Sequence, residues 1–202
     1  MSSVEIRKEN GKTIVNLKGK QYLWFTPYLD GYYKSTLLLL DNLNLQNETL
    51  IYPTLFNFSQ YLELWIKLLL LAINDSNNVK DLKINNHSIQ DIIKNAASNN
   101  KNLLESYGVN IDLLYQITDK YSYFVDFTCE TQTLSMVSRY PLSNKSPNII
   151  LNFDRVEEAK AETYIDLKTN VSDILKITSK ITNDFFERYF FILLKQEGDK
   201  NE

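Results

Sequence analysis

The sequence is poor in the residue types on which many catalytic and metal sites depend. It holds one cysteine, one histidine and five glycines in 202 residues. The single cysteine, Cys129, excludes an intrachain disulfide framework and any zinc site built from several cysteines. The single histidine, His87, excludes multi-histidine metal sites and the H-E-x-x-H motif. We therefore expect a protein that works without a metal ion or another cofactor.

Several common phosphate and hydrolase motifs are also missing. The chain contains no G-x-x-x-x-G-K-[ST] loop, no G-x-G-x-x-G loop and no G-x-S-x-G elbow. Its net charge of −3 argues against a protein that coats nucleic acid through bulk positive charge, although a local basic patch is compatible with that value. Cys129 precedes Glu130, an acid that disfavours a thiolate, so we interpret it as a buried structural residue.

Targeting and membrane signals are weak. The first 20 residues mix charged and turn-forming residues and contain no apolar core of a signal peptide. The most apolar segment, residues 52–73, is interrupted by Glu63 and Lys67, so it offers no clean run of about 18 apolar residues. We predict a cytoplasmic protein that does not contact a membrane.

The rest of the chain is organised around the segment 52–73, which we predict to be a central helix. Pro53 fits its first turn, where a missing N–H costs nothing, and good helix formers follow without glycine. Four polar residues fall on one arc of about 120°: Asn57, Gln60, Glu63 and Lys67. The structural interpretation of this arc is a solvated strip or an ion pair sealed in the bundle. The functional alternative is that Glu63 orients a basic group from another helix and that the other three residues contribute to binding.

The fold class that these patterns predict is all-α, an antiparallel bundle of about five to six helices with a small N-terminal β-hairpin appendage. Alternating segments on both sides of Asn10-Gly11 predict the hairpin. The predicted units are a hairpin appendage in residues 1–29, the bundle in residues 30–196 and a disordered tail in residues 197–202. Besides the central helix, we predict one helix that begins near His87 and Ser88, and others over about residues 32–43, 110–118, 121–136 and 167–195. The third helix should have Ile89, Ile92 and Ile93 on one face. The core positions predicted for the last helix are Val171, Ile174, Ile177 or Thr178, Ile181, Phe185 and Tyr189.

His87 is a candidate general base. It lies at the expected start of the third helix, with Asn86 or Ser88 as the capping residue. The positive end of the helix dipole favours the neutral imidazole there, and a neutral imidazole can accept a proton near pH 7. The structural alternative is a surface or hydrogen-bonded histidine.

Arg139 is the second candidate catalytic residue. It precedes Tyr140-Pro141, and the proline restricts the backbone next to it. An arginine at such a boundary can tie a helix end to a carboxylate, for example Glu63 or Asp126, or it can grip a phosphate bidentately. Tyr140 would then be a neighbouring binding residue.

The order of these motifs resembles the bacterial HEPN-like helical proteins of abortive-infection, toxin–antitoxin and other phage-defence systems. The residues that carry the resemblance are Tyr32-Tyr33-Lys34 with Leu37-Leu38-Leu39-Leu40, Tyr61-Leu62-Glu63-Leu64 with Lys67, His87-Ser88-Ile89, Asp126 and Arg139-Tyr140-Pro141. It covers about residues 30–195 and implies a helical bundle that forms a homodimer. Active members of that family are metal-independent ribonucleases with an Arg-x4-6-His motif. In this chain no arginine is followed by a histidine at that spacing.

Binding and catalysis therefore both stay open at this point. The preferred hypothesis for the function is that this is a defence-associated protein that binds RNA, a nucleotide or a protein partner. One alternative is a metal-independent ribonuclease with a rearranged site, in which His87 moves a proton, Arg139 stabilises a phosphate, and Glu63 or Asp126 orients one of them. The other alternative is a non-enzymatic regulatory or immunity subunit of such a system.

Overall fold

The computed structural model describes residues 3–9, 12–18, 26–44, 46–77, 88–125 and 161–198. These ranges are mostly helical, which is consistent with the predicted all-α class. Their helices are α1 (Thr26–Asn42), α2 (Ile51–Asn77), α3 (Ile89–Asn99), α4 (Lys101–Ser106), α5 (Ile111–Val125) and α6 (Ala161–Gly198), with a short 3₁₀ helix (Glu48–Leu50) before α2.

Two short strands lie near the N-terminus. Strand β1 (Ser3–Glu9) pairs antiparallel with β2 (Lys12–Lys18), and Glu9 lies opposite Lys12. Only the backbone of these strands is described. The packing of this pair against the helices, and with it the division of the chain into an appendage and a bundle, stays a prediction.

Helix α1 begins earlier than the sequence pattern predicts. The prediction started it after Asp30-Gly31, which is a turn signal, but the helix begins at Thr26 and continues through Gly31. Leu29, Tyr32 and Tyr33 pack against the core on both sides of this glycine. Because tertiary packing outweighs the roughly 1 kcal/mol cost of a helical glycine, no break occurs.

Helix α2 forms the centre of the core. It extends from Ile51 to Asn77, so the Asn- and Ser-rich residues that were predicted to end it at about residue 74 are helical. It packs against α1, α3 and α6. Its most deeply buried large side chains are Ile51, Leu55, Phe58, Leu62, Ile66 and Ile73.

The segment Ile51–Ile73 of α2 is also long and apolar enough, by length and composition, to cross a membrane. Its mean hydropathy is 1.2 over the best window, despite Glu63 and Lys67. In the structure 56% of that window is buried. Burial against α1, α3 and α6 accounts for this apolar composition, because a helix enclosed by other helices is apolar on most of its circumference.

Helices α3 to α5 form one side of the core, with α3 packed against α5. Ser88 is the N-cap of α3, since its Oγ accepts a hydrogen bond of 3.3 Å from the Asp91 N–H. This confirms one of the two predicted caps. The predicted apolar face of α3 is also confirmed, because Ile89, Ile92 and Ile93 are all buried. The short helix α4 was not predicted.

Helix α5 corrects the prediction of two helices in this region. It runs without a break through residues 119 and 120, where the prediction separated 110–118 from 121–136. A single stripe of buried residues continues along it: Leu114, Ile117, Tyr121 and Phe124. The predicted continuation as far as Met136 lies outside the described residues.

Helix α6 is the longest helix of the described chain and begins at Ala161, before the predicted start at residue 167. Its predicted core positions are confirmed where side chains are described, because Val171, Ile174, Ile181 and Phe185 are buried. Thr178 is fully buried and Ile177 is only half-buried, which resolves the predicted alternative between them in favour of Thr178. The backbone is helical to Gly198, and residues 199–202 lie outside the described part.

Candidate functional site

The predicted site residues divide into two groups. Four lie on α2 and are described: Asn57, Gln60, Glu63 and Lys67. The other four, namely His87, Asp126, Arg139 and Tyr140, lie outside the described residues, so the predicted meeting of His87 with Arg139 stays a prediction.

Glu63 and Lys67 form an ion pair within α2. The Lys67 Nζ lies 2.7 Å from the Glu63 Oε1, and the two side chains are only 15% and 12% exposed. An i, i+4 pair in this order suits helix geometry. Asn57, one turn before Gln60, donates from Nδ2 to the Pro53 carbonyl at 2.7 Å. The largely buried Glu63–Lys67 pair is consistent with the structural interpretation of the arc as an ion pair sealed in the bundle.

Tyr121 of α5 is close enough to Glu63 to be affected by its charge. Burial, and secondly the negative charge of Glu63, raise the pKa of the Tyr121 hydroxyl far above its usual value. Tyr121 therefore stays neutral at physiological pH. The polar arc of α2 thus carries a buried carboxylate and an ammonium group, and the neutral phenol of Tyr121 on α5 lies near Glu63. All three side chains are largely buried.

Two hydrogen bonds join α2 to α6. The Tyr61 hydroxyl lies 2.8 Å from the Thr178 Oγ1, and the Trp65 Nε1 donates to the Thr182 Oγ1 at 2.9 Å. The Thr178 hydroxyl donates its proton to the Leu175 carbonyl at 2.9 Å. The Tyr61 hydroxyl is therefore the donor in its hydrogen bond with Thr178. Tyr61 also contacts the ring of Tyr33 on α1, with a centroid separation of 5.4 Å. Through these contacts Tyr61 of α2 connects α1 with α6.

An open groove of about 600 Å³ lies between α1 and α6. Tyr33 and Leu37 line its α1 side. The α6 side is lined by Ser172, Leu175, Lys176, Ser179, Lys180, Asn183 and Asp184. We call this feature the α1–α6 groove. Its volume is in the range of pockets that hold small ligands or the side chains of a partner.

The charged groups of the groove lie on α6. Lys176 is exposed and its Nζ lies 3.6 Å from the Asp173 Oδ1, but Asp173 is held more closely by Lys120 of α5, at 2.9 Å. Hydrogen bonding to Lys120 is the main cause that lowers the pKa of Asp173. Lys180 is exposed and has no ion-pair partner within the described ranges. The groove therefore presents two ammonium groups that a bound anion can reach.

The groups in the described lining of the groove with nucleophile or base chemistry include two serines and the carboxylate of Asp184. Among the described residues that line it there is no histidine and no cysteine. The Ser179 Oγ donates its proton to the Leu175 carbonyl at 2.9 Å. In the described ranges, no group of three His, Cys, Asp or Glu residues has the geometry to hold a metal ion.

Sequence reasoning missed this groove. The sequence does carry part of the signal, because polar residues 172, 176, 179, 180 and 183 share one face of a helix at 100° per residue. The other wall, Tyr33 and Leu37, comes from the far end of the chain. No spacing rule pairs α1 with α6, so only the tertiary structure brings these residues together.

Comparisons with known proteins give no relative for this chain: no family model, no curated protein and no solved structure matches it. The HEPN-like resemblance therefore rests on the order of short sequence motifs.

Proposed function

We propose that this chain is a HEPN-like protein of a phage-defence or toxin system that binds RNA, a nucleotide or a protein partner without cleaving it. The motif order between residues 30 and 195 supports this setting, and the helical content agrees with it. As part of the same proposal, the helices form an antiparallel bundle, the protein is cytoplasmic, and it forms a homodimer.

The α1–α6 groove is the observation that carries the proposal. It combines an apolar wall, Tyr33 and Leu37, with the ammonium groups of Lys176 and Lys180. A ligand with an apolar or planar part and a negative charge complements both features. The protein itself has a net charge of −3, so these lysines provide local attraction in an otherwise acidic chain.

The ribonuclease alternative has less support, because the chain lacks the Arg-x4-6-His motif of active HEPN members. It needs His87 and Arg139 in one cleft, and both lie outside the described residues. One of its two candidate orienting carboxylates, Glu63, is paired with Lys67 and largely closed to solvent, and the other, Asp126, lies outside the described residues. The alternative of a regulatory or immunity subunit is compatible with the groove, since such a subunit also acts by binding.

Binding at the groove is tested with three labelled probes: a short single-stranded RNA, a fluorescent adenosine monophosphate analogue and an acidic helical peptide. Fluorescence anisotropy is measured for the wild type and for the double variant Lys176→Glu, Lys180→Glu. The matched control is Lys94→Glu, Lys101→Glu, which reverses two exposed lysines on α3 and α4, away from the groove.

We expect at least one probe to bind the wild type and the control but to lose most of its affinity for the groove variant. Thermal melts of the three proteins check that each is folded. If no probe binds, or if binding is the same in all three proteins, the groove is not the binding site and the proposal fails. RNA recovered intact from the bound state supports binding without cleavage.

A further inference from the structure

We infer that the partner in the α1–α6 groove is an amphipathic helix of a different protein, with acidic residues beside its apolar face. This inference rests on the proposed binding function and names the class of ligand for that site. Three observations carry it: the exposed apolar residues on α6 beyond both ends of the groove, the small side chains in the groove, and the sign of its charge.

Two exposed apolar residues lie on the same face of α6 as the groove, one beyond each end of its lining. Ile165, Ser172, Ser179 and Phe186 recur every seven residues, so they lie on one face of the helix. Ile165 and Phe186 are 61% and 58% exposed, although both are large and apolar. At 1.5 Å per residue they stand about 31 Å apart along the helix axis. A straight helix of about six turns spans both ends, whereas a mononucleotide reaches only the middle.

The floor between these ends is shaped to accept side chains. Ser172 and Ser179 are small and half-buried, and Leu175 lies between them as a buried apolar residue. On the α1 side, Tyr33 and Leu37 form a parallel wall. Large side chains of a third helix fit into the depressions above small residues, which is the usual mode of a helix bound in a groove.

The charge of the rim indicates acidic residues on the partner. Lys176 and Lys180 are one helical turn apart on the exposed side of the groove. Glutamates at i, i+4 of a docked helix match this spacing. RNA is a poorer match, because strong binding needs neutralisation of many phosphates, and Asp184 stands beside the two lysines in this lining.

A second copy of the chain is also a poor occupant. A symmetric antiparallel pairing of two α6 helices, centred midway between Lys176 and Lys180, places Lys176 of each copy opposite Lys180 of the other. A parallel pairing places each lysine opposite its own equivalent. Both arrangements bring four positive charges together, which disfavours self-association. A dimer of this protein would therefore use another face.

The test uses a capped, fluorescein-labelled three-heptad peptide with leucine at its a and d positions and glutamate at the flanking positions. We expect it to bind the wild type, and we expect the variant Lys176→Glu, Lys180→Glu to weaken it by at least about tenfold. A peptide with lysine in place of each glutamate should show the reverse preference. The control Lys94→Glu, Lys101→Glu should bind both peptides as the wild type does.

The length of the site is tested with Ile165→Ser and Phe186→Ser, which remove the two apolar ends. We expect each to weaken the acidic peptide several-fold, whereas Tyr115→Ser, which changes an exposed apolar residue on α5, should not. Circular dichroism melts check that these variants are folded. If the peptide does not bind, or binds Ile165→Ser and Phe186→Ser as tightly as the wild type, the inference is wrong.

The outcomes also separate this inference from the proposed function. If the RNA or nucleotide probe binds at the groove and the peptide does not bind, the proposed function stands. The inference that the partner is a helix is then wrong. Failure of every probe overturns both. Sedimentation that shows self-association of the wild type, lost in Phe186→Ser, would assign this face to a second copy and would also overturn the inference.

Discussion

The hydroxyl of Tyr61 on α2 lies 2.8 Å from the Oγ1 of Thr178 on α6, although 117 residues separate them in the sequence. One turn further along both helices, Trp65 repeats the contact with Thr182 at 2.9 Å. Each acceptor threonine in turn donates to a carbonyl of its own helix. Buried polar groups that are all hydrogen-bonded fix the register of two helices more specifically than apolar contacts do. The register of α2 with α6 fixes the position of α6 on the core, and α6 carries the groove residues Ser172, Leu175 and Ser179.

Replacement of Trp65 tests how much this junction contributes to stability. Trp65 is only 4% exposed, so Trp65→Ala removes a buried ring and a hydrogen bond and leaves a cavity. We expect a loss of about 3–5 kcal/mol in the free energy of unfolding. Urea denaturation followed by circular dichroism measures it. The control Tyr28→Ala changes an aromatic residue that is 63% exposed and should cost less than about 0.5 kcal/mol. An unchanged midpoint for Trp65→Ala would show that the buried face of α2 is wrongly assigned.

The pKa of Tyr61 predicts a loss of stability at alkaline pH. Burial is the main cause that raises this pKa from 10.0 to about 12, against the opposing effect of the hydrogen bond with Thr178. The folded state therefore holds the phenol proton more tightly than the unfolded state does. The corresponding stability is fully present below about pH 10 and is lost as the pH rises from there towards about 12.

Tyr61→Phe is the variant that isolates this effect, because phenylalanine cannot ionise. We expect it to cost about 1 kcal/mol at neutral pH through the lost hydrogen bond. Between pH 9 and 11 its free energy of unfolding should fall less than that of the wild type, by about 1 kcal/mol. Urea titrations at a series of pH values measure the difference. Parallel curves for the two proteins would contradict the raised pKa of Tyr61.

The helical core was largely predictable because its signal is local. Residues three and four apart share a face in any α-helix, so the spacing of Ile89, Ile92 and Ile93 was enough to predict a buried face. The N-cap Ser88 was predictable for the same reason, since a cap acts on amides within its own turn. These features depend on the neighbouring sequence and very little on the rest of the fold.

Helix ends and the groove were less predictable because they depend on tertiary contacts. The dipeptide Asp30-Gly31 is typical of a turn. Helix α1 nevertheless continues through it, because the apolar side chains of α1 pack against the core. The groove needs Tyr33 and Lys180 to face each other across two helices from opposite ends of the chain. No local pattern carries that information. The other four predicted site residues, His87 among them, lie outside the described residues, so their roles stay predictions.

The turn between α4 and α5 depends on Gly108. Its φ of +78° lies in the left-handed region, and the N–H groups of Gly108 and Val109 bond back to the Glu105 and Leu104 carbonyls at 3.0 Å each. This is a Schellman C-cap. A Cβ at Gly108 would stand 2.8 Å from the backbone carbonyl oxygen of Asp184 on α6.

Gly108→Ala should therefore destabilise the protein by about 2–4 kcal/mol, through backbone strain and the clash with α6. Gly31→Ala is the matched control, because Gly31 lies inside α1 and a Cβ there has no heavy atom within 4 Å. That variant should stabilise the protein by about 0.5–1 kcal/mol. Thermal unfolding of both variants checks the pair. Equal effects of the two substitutions would rule out the close approach of α6 to this turn.

Incubation with RNA distinguishes binding from cleavage. Purified protein is mixed with total and structured RNAs in the presence of EDTA, with the wild type beside His87→Ala and Arg139→Ala. We expect intact RNA in all three reactions, because no arginine is followed by a histidine with four to six residues between them, and Glu63 is paired with Lys67. Denaturing gels detect the products. Cleavage by the wild type that both variants lose would mean that these two residues do converge, since general-base catalysis needs hydrogen-bond reach. The protein would then be a metal-independent ribonuclease with a rearranged site, and the proposal of binding without cleavage would be wrong.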